Sequence, residues 1–181
     1  MAEGKNERWT NYLAITTILI AVCATLSTFK GGGYSTKSLM NQSLASDQWA
    51  YYQSKGIKSY IFEAQLDNMT FQKSILDQSG KGEITQKQYQ LQIESLSKKV
   101  KKYSDEKKEI QKKAVDFEKV RDECKLHSGA FGIAVIFLQV SILLSSISAL
   151  TKRKYIWFLS LIVGLAGVIY FFDGFFLFLH I

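Results

Sequence analysis

Three apolar segments, residues 9–29, 130–150 and 155–181, carry almost no charge, and each is as long as a helix must be to cross a bilayer. At 1.5 Å of rise per residue, about 20 predominantly apolar residues cover roughly 30 Å of hydrocarbon. Charge is collected between them: residues 30–127 hold 18 of the 23 Lys and Arg and 13 of the 16 acids. The mean hydropathy of −0.01 therefore averages two kinds of sequence. A chain so divided does not spread its apolar residues as one globular core requires.

The chain has no proline, the residue that most often breaks or turns an element, so long uninterrupted helices are expected. Glycine is then expected to supply the breaks, at Gly31, Gly32 and Gly33, at Gly80 and Gly82, and at Gly129 and Gly132. The first segment, with Lys5 and Arg8 before it, also has the outline of a signal peptide. Ala24-Thr25-Leu26-Ser27 is a poor cleavage site, however, and Ile20-Ala21-Val22-Cys23 lacks the small residue of a lipidation box, so an uncleaved span is expected. Cys23 lies inside the first apolar segment and Cys124 at the end of the charged one, so a bond between them would have to form at the membrane boundary, and two free thiols are expected.

The second and third segments are separated by Thr151-Lys152-Arg153-Lys154, too short to cross a membrane, so they are expected to form an antiparallel pair. Three positive charges in that turn orient it, because the positive-inside bias is counted over short loops. Lys152, Arg153 and Lys154 are thus the topology determinants and are placed in the cytoplasm. Counting back puts residues 30–127 outside the cytoplasm and Lys5 and Arg8 inside. Asp173 is the one acid within these segments. Intramembrane acids are candidates for function, but residues 155–172 already span about 27 Å of helix. Asp173 is therefore read first as an interfacial anchor, with an ion or proton site and interhelical packing as the alternatives. His180 is read as an interface residue.

The charged middle is expected to form two helices, about 38–76 and 85–127, joined by a turn at 78–83 where paired glycines permit left-handed backbone. In the second, Tyr89, Ile93, Leu96, Val100, Tyr103, Lys107, Ile110, Ala114, Phe117, Arg121, Cys124, Ser128 and Phe131 alternate spacings of four and three, the seam of a coiled coil. Lys107, Arg121 and Ser128 interrupt its apolar character. The seam runs into the second apolar segment, so one continuous helix from about Thr85 to Leu150 is compatible with it. The first helix carries two stripes. One is Ala50, Ile57, Ile61, Ala64 and Phe71, expected to meet the second helix; the other is Trp49, Tyr52, Gly56 and Tyr60, aromatic and glycine-notched, expected to meet a neighbouring subunit.

The lysines at 98–102 and 107–113 suggest a nucleic-acid or lipid surface at first sight. Asp105, Glu106 and Glu109 interleave at helical spacings that allow pairs such as Glu109 with Lys113, the pattern of a solvated helix flank, and no nucleic-acid partner is expected. Val100 lies about 29 residues from Gly129, roughly 44 Å along a straight helix, which sets these lysines far from the bilayer.

The string Asp47-Gln48-Trp49-Ala50-Tyr51-Tyr52-Gln53 and the layout of one span, a charged helical middle and two spans joined by a basic turn resemble an uncharacterised family of small bacterial membrane proteins, known as a domain of unknown function. The resemblance implies a bacterial cell membrane and nothing catalytic. The residues agree: Gly31-Gly32-Gly33 lacks the lysine and hydroxyl of a phosphate loop, and two histidines and two cysteines, widely separated, make no metal site. The expected fold is an all-α membrane protein, three transmembrane helices with a long antiparallel helical hairpin between the first and second. The expected role is a homo-oligomeric scaffold of the bacterial inner membrane. It has no enzymatic activity and no cofactor, and it offers a docking surface to a protein partner outside the cytoplasm. The alternatives are a small ion channel or transport subunit using Asp173, and an accessory subunit of a larger membrane complex. Hairpin contacts or oligomer contacts are expected from Trp49, Tyr52, Gly56, Tyr60, Leu96, Val100, Tyr103, Ile110 and Phe117. The topology predicts that, in a chain whose Cys23 and Cys124 are replaced by alanine, Ser79→Cys reacts with a membrane-impermeant thiol reagent in intact spheroplasts while Thr151→Cys is protected. The reverse pattern of labelling would put the charged region in the cytoplasm.

Overall fold

Without proline, nothing in the backbone stops a helix once it has begun, and the computed structural model, which describes residues 3–78 and 83–179, is built of three: α1 (Glu3–Gln78), α2 (Glu83–Thr151) and α3 (Lys154–Phe176). No strand forms among the described residues. Each helix contains a stretch long and apolar enough to cross a membrane. The glycines expected to interrupt the chain do not. Gly31, Gly32 and Gly33 lie inside α1, and Gly129 and Gly132 inside α2. The segments read as 9–29 and 38–76 are one helix, and those read as 85–127 and 130–150 are another. An interior glycine costs only about 1 kcal/mol against alanine, which the hydrogen bonds and packing on either side outweigh. Gly80, Gly82 and the turn at 78–83 fall largely outside the described residues, as does His180.

The contacts divide the chain into two compact units: Met1–Met40 with Val120–Ile181, and Asn41–Lys119. In the first unit, hydroxyls in apolar sequence bond back to their own helix, as in Thr17 Oγ1 to the Leu13 carbonyl (2.8 Å), Thr25 to Ala21 (2.9 Å) and Ser27 to Cys23 (2.8 Å). A polar side chain satisfied in this way needs no water. The core is Ile20, Ala24, Ala134 and Leu138, with Val168 and Phe171 of α3 packed against it. Phe131 is fully buried and meets Tyr34, Phe171 and Phe175 ring to ring.

Glycine sets how closely the helices of this unit approach. A Cβ placed on Gly167 would lie 2.7 Å from Leu138 Cγ and 3.0 Å from its backbone nitrogen, and one on Gly174 would lie 2.7 Å from the Phe131 ring. One on Gly31 would stand 3.0 Å from Phe131 Cβ. Beside Gly164, Ser141 Oγ donates to the Ser160 carbonyl (2.6 Å) and Ser145 Oγ lies 3.0 Å from Ser160 Oγ. Small residues and hydroxyl bonds of this kind join apolar helices without a hydrophobic gradient.

The connection between α2 and α3 is shorter than the expected 151–154 turn, since only Lys152 and Arg153 lie between the helices. Lys152 takes a left-handed φ of 52°, and Ser148 Oγ donates to the Arg153 carbonyl at 3.0 Å. At its other end α3 stops at Leu177, also left-handed at φ 50°, whose N–H reaches the Asp173 carbonyl at 2.7 Å.

This packing predicts opposite effects at two glycines. Gly167→Val forces a branched side chain against Leu138 and is expected to cost about 1–3 kcal/mol. Gly32→Ala meets nothing within 4 Å and is expected to be neutral or mildly stabilising. Thermal unfolding in detergent, followed by circular dichroism, separates the two, and equal melting temperatures would refute the close-approach argument.

Candidate functional site

Two groups of side chains draw together most of the residues singled out by sequence. The first lies in the unit Asn41–Lys119, where α1 and α2 contact each other in reverse order of residue number. Trp49 Nε1 donates to Glu118 (3.0 Å), Lys55 Nζ pairs with Glu106 (2.6 Å), the rings of Phe62 and Tyr103 stack at 5.5 Å, and Lys73 Nζ bonds to Gln90. Every seam position of α2 from Tyr89 to Phe131 is buried or half-buried, with Ile110 and Ala114 buried most deeply in this unit. Leu96, Val100, Tyr103 and Phe117 are half-buried, and Lys98, Lys101, Lys108 and Lys112 are exposed.

The stripes of α1 are exchanged relative to expectation. Trp49, Tyr52 and Gly56 face α2, whereas Ala50, Ile57, Ile61, Ala64 and Phe71, expected to meet α2, are all exposed. The cause is Lys107. A lysine in the seam cannot sit against isoleucine without losing its hydration, but an aromatic face attracts it. Its Nζ lies over the rings of Tyr52 (5.0 Å) and Tyr60 (5.3 Å) and passes beside Gly56, where a Cβ would stand 3.7 Å from it in ordinary contact. Lys55 does the same over Tyr51 and Tyr103, at 5.3 and 5.2 Å, and Lys99 over Phe62 at 5.2 Å. The lysine that interrupts the apolar pattern of α2 is thus part of the seam. A Tyr-x3-Gly-x3-Tyr spacing on one helix facing a lone seam lysine on the other was the available signal. Of the remaining interruptions, Ser128 Oγ donates to the Gly31 carbonyl at 3.1 Å and Arg121 holds Asp122 at 2.8 Å; both belong to the other unit. The exposed flank pairs Lys98 with Glu94, Lys108 with Asp105 and Lys119 with Asp116.

The second group is Asp173 with its surroundings, in the unit containing α3. Asp173 is only 6% exposed. Its carboxylate accepts the Leu179 N–H at 2.7 Å while its carbonyl accepts that of Leu177, so one residue ties down both ends of the left-handed turn that finishes α3. Next to it, His127 Nδ1 donates to the Gly174 carbonyl at 2.9 Å and stacks on Tyr34 with ring centres 4.5 Å apart. His127 and Tyr34 were not legible as partners, because nothing in the spacing of α1, α2 and α3 tells which turns share a level. Lys152, Arg153 and Lys154 are exposed, with Arg153 donating to the Tyr155 hydroxyl at 2.6 Å. Cys23 and Cys124 are free thiols. No cluster of three or more metal-ligating side chains occurs among the described residues.

The family model for the domain of unknown function DUF4337 matches residues 9–177, nearly the whole chain, and the protein belongs to that family. No curated protein and no solved structure gives a significant match.

The Lys55–Glu106 pair predicts a pH dependence. The hydrogen bond from Lys55 holds the Glu106 carboxyl below its ordinary 4.5, and the same bond holds the Lys55 ammonium above its ordinary 10.5. A lowered carboxylate contributes stability that is present above its ordinary value and is lost as pH falls through the lowered one. A raised ammonium contributes stability that is lost only as pH rises past 10.5. The pair's contribution is therefore level near neutrality. Wild type should lose more melting temperature than Glu106→Gln between about pH 5 and pH 3, measured by circular dichroism, and identical losses would show that the pair does not couple to folding.

Proposed function

We propose that this member of the DUF4337 family is a multi-pass protein of the bacterial cytoplasmic membrane whose three spans hold an antiparallel helical hairpin outside the cytoplasm, and that it acts as a homo-oligomeric scaffold without catalytic chemistry. The observation that carries the membrane reading is the apolar surface of the unit containing α3. Ile18 (63% exposed), Leu143 (64%), Ile162 (68%) and Leu165 (63%) present large side chains from all three helices with nothing of the protein over them. Soluble monomers rarely expose large apolar patches to water, whereas hydrocarbon covers such side chains without cost. The basic turn at Lys152, Arg153 and Lys154 supports the cytoplasmic placement of that end. The scaffold reading is supported by the way the polar groups are used. The Asp173 carboxylate and the Ser141, Ser145 and Ser160 hydroxyls all bond within the protein, where an ion path needs groups free to replace hydration.

Two measurements test this. In lipid nanodiscs, native mass or stepwise photobleaching should give more than one copy per particle, whereas a single copy would point to an accessory subunit of some larger complex. In planar bilayers the wild type should carry no cation current. A reproducible current abolished by Asp173→Asn would replace the scaffold with a channel.

A further inference from the structure

The face of α1 that turns away from α2 in the unit Asn41–Lys119 is itself patterned. Ala50, Ile57, Ala64 and Phe71 recur every seven residues, and Ser54, Ile61, Asn68 and Ile75 recur every seven residues between them, so that spacings alternate four and three without a slip. All eight positions are exposed, Ile57 by 61% and Phe71 by 66%. The stretch holds between three and four heptads, the length at which such a repeat implies a partner helix wound along it rather than a chance apolar patch. α2 already lies against the opposite side of α1, so this seam has no occupant within the unit.

We infer that a second copy of this chain occupies it, α1 packed along α1 in parallel and in register. The inference rests on the reading of the protein as a membrane-embedded homo-oligomer, because two copies inserted in one membrane share the direction of α1. Register comes from Asn68, which stands at the heptad position where a single asparagine specifies pairing. Its Oδ1 accepts from Gln72 Nε2 of the same helix at 3.0 Å, and the second lone pair of that oxygen and the amide N–H groups are complementary to the same asparagine of the second copy at the same level. Charge favours α1 over α2 as the meeting surface. Residues 41–78 carry three lysines against four acids, whereas residues 85–119 carry ten lysines against six acids, so two copies of α2 would repel. Along the flanks of the parallel seam, Gln53 would face Lys58, Tyr60 would face Gln65 and Asp67 would face Gln72, and no like charges oppose each other. Ala50 and Ala64 alternate with larger neighbours and let the helices approach closely.

The test uses the full-length chain in nanodiscs with Cys23 and Cys124 replaced by alanine. Single cysteines at Ile61→Cys and Asn68→Cys should oxidise to disulfide-linked dimers, and Lys98→Cys, on the exposed flank of α2, should not. Adding the pair Ile57→Glu and Ile61→Glu, one turn apart on the same face, to the Asn68→Cys chain should abolish the dimer. Helical content should persist, because both side chains are already exposed in the single chain. Equal crosslinking at Lys98, or a dimer that survives both glutamates, would overturn the inference. Crosslinking of Asn68→Cys to a protein of different mass would overturn it too, assigning the face to another partner. Particles that hold several copies yet fail to crosslink at Ile61 and Asn68 would refute this surface alone, whereas particles holding a single copy would refute the oligomeric reading beneath it.

Discussion

The condition on which the rest of the structure depends is that every polar group within the apolar stretches must find its partner inside the protein. No buried side-chain nitrogen or oxygen among the described residues lacks a hydrogen bond. Thr16, Thr17, Thr25, Ser27 and Thr28 turn their hydroxyls back onto α1. Where a hydroxyl does cross between helices, as from Ser141 to the Ser160 carbonyl, a glycine at Gly164 lets α3 come near enough for the bond to form. Packing and polarity are therefore one problem in this unit: the glycines bring the helices together, and the bonds they permit leave no buried side-chain nitrogen or oxygen among the described residues without a partner. Asp173 belongs to the same logic. A left-handed Leu177 leaves N–H groups beyond the helix end, and the carboxylate takes up one of them.

In the unit Asn41–Lys119 the condition is reversed, because charge must be accommodated next to a seam exposed to water at its edges. Surface ion pairs add little there, and the pairs at i,i+3 and i,i+4 along α2 keep the helix solvated more than they hold it to α1. The contacts that tie the two helices are mixed: an indole on Glu118, an ammonium shared between Glu106 and two tyrosine rings, and Lys107 between Tyr52 and Tyr60. Such contacts are more specific than Leu against Leu, since a slip of one heptad would part Lys107 from Tyr52 and Tyr60 and Trp49 from Glu118.

Composition and periodicity made the helices, the three apolar stretches and the seam of α2 legible, because each rests on a repeat that survives averaging over many residues. What escaped depends on single partners. The glycines at 31–33 read as breaks, yet a Cβ on Gly31 would stand 3.0 Å from Phe131 Cβ, and a sequence does not reveal which neighbour a missing side chain makes room for. The stripes of α1 were assigned by hydrophobicity, which sent Ile57 and Ile61 to α2. The assignment reversed because a seam lysine prefers tyrosine and glycine to isoleucine, a preference visible only once both helices are considered together. His127 and Asp173 show the same limit, since their bonds join α2 to α3 and α3 to its own tail across intervals that carry no periodic trace.

The two faces of α1 are divided by what α2 brings to them. The aromatic face is committed to Lys107, the one of the ten lysines in residues 85–119 that stands in the seam, while the other nine are exposed. The aliphatic face is thereby released, and an aliphatic heptad face left in water is unfavourable for a single chain. The seam lysine of one helix and the unfilled aliphatic repeat of the other are thus linked, and replacing Lys107 by an aliphatic residue would weaken the reason for α1 to keep its tyrosines inward. Lys107 in the seam sets which face of α1 remains open, while the exposed lysines of the same helix make α2 unsuited to meeting its own kind.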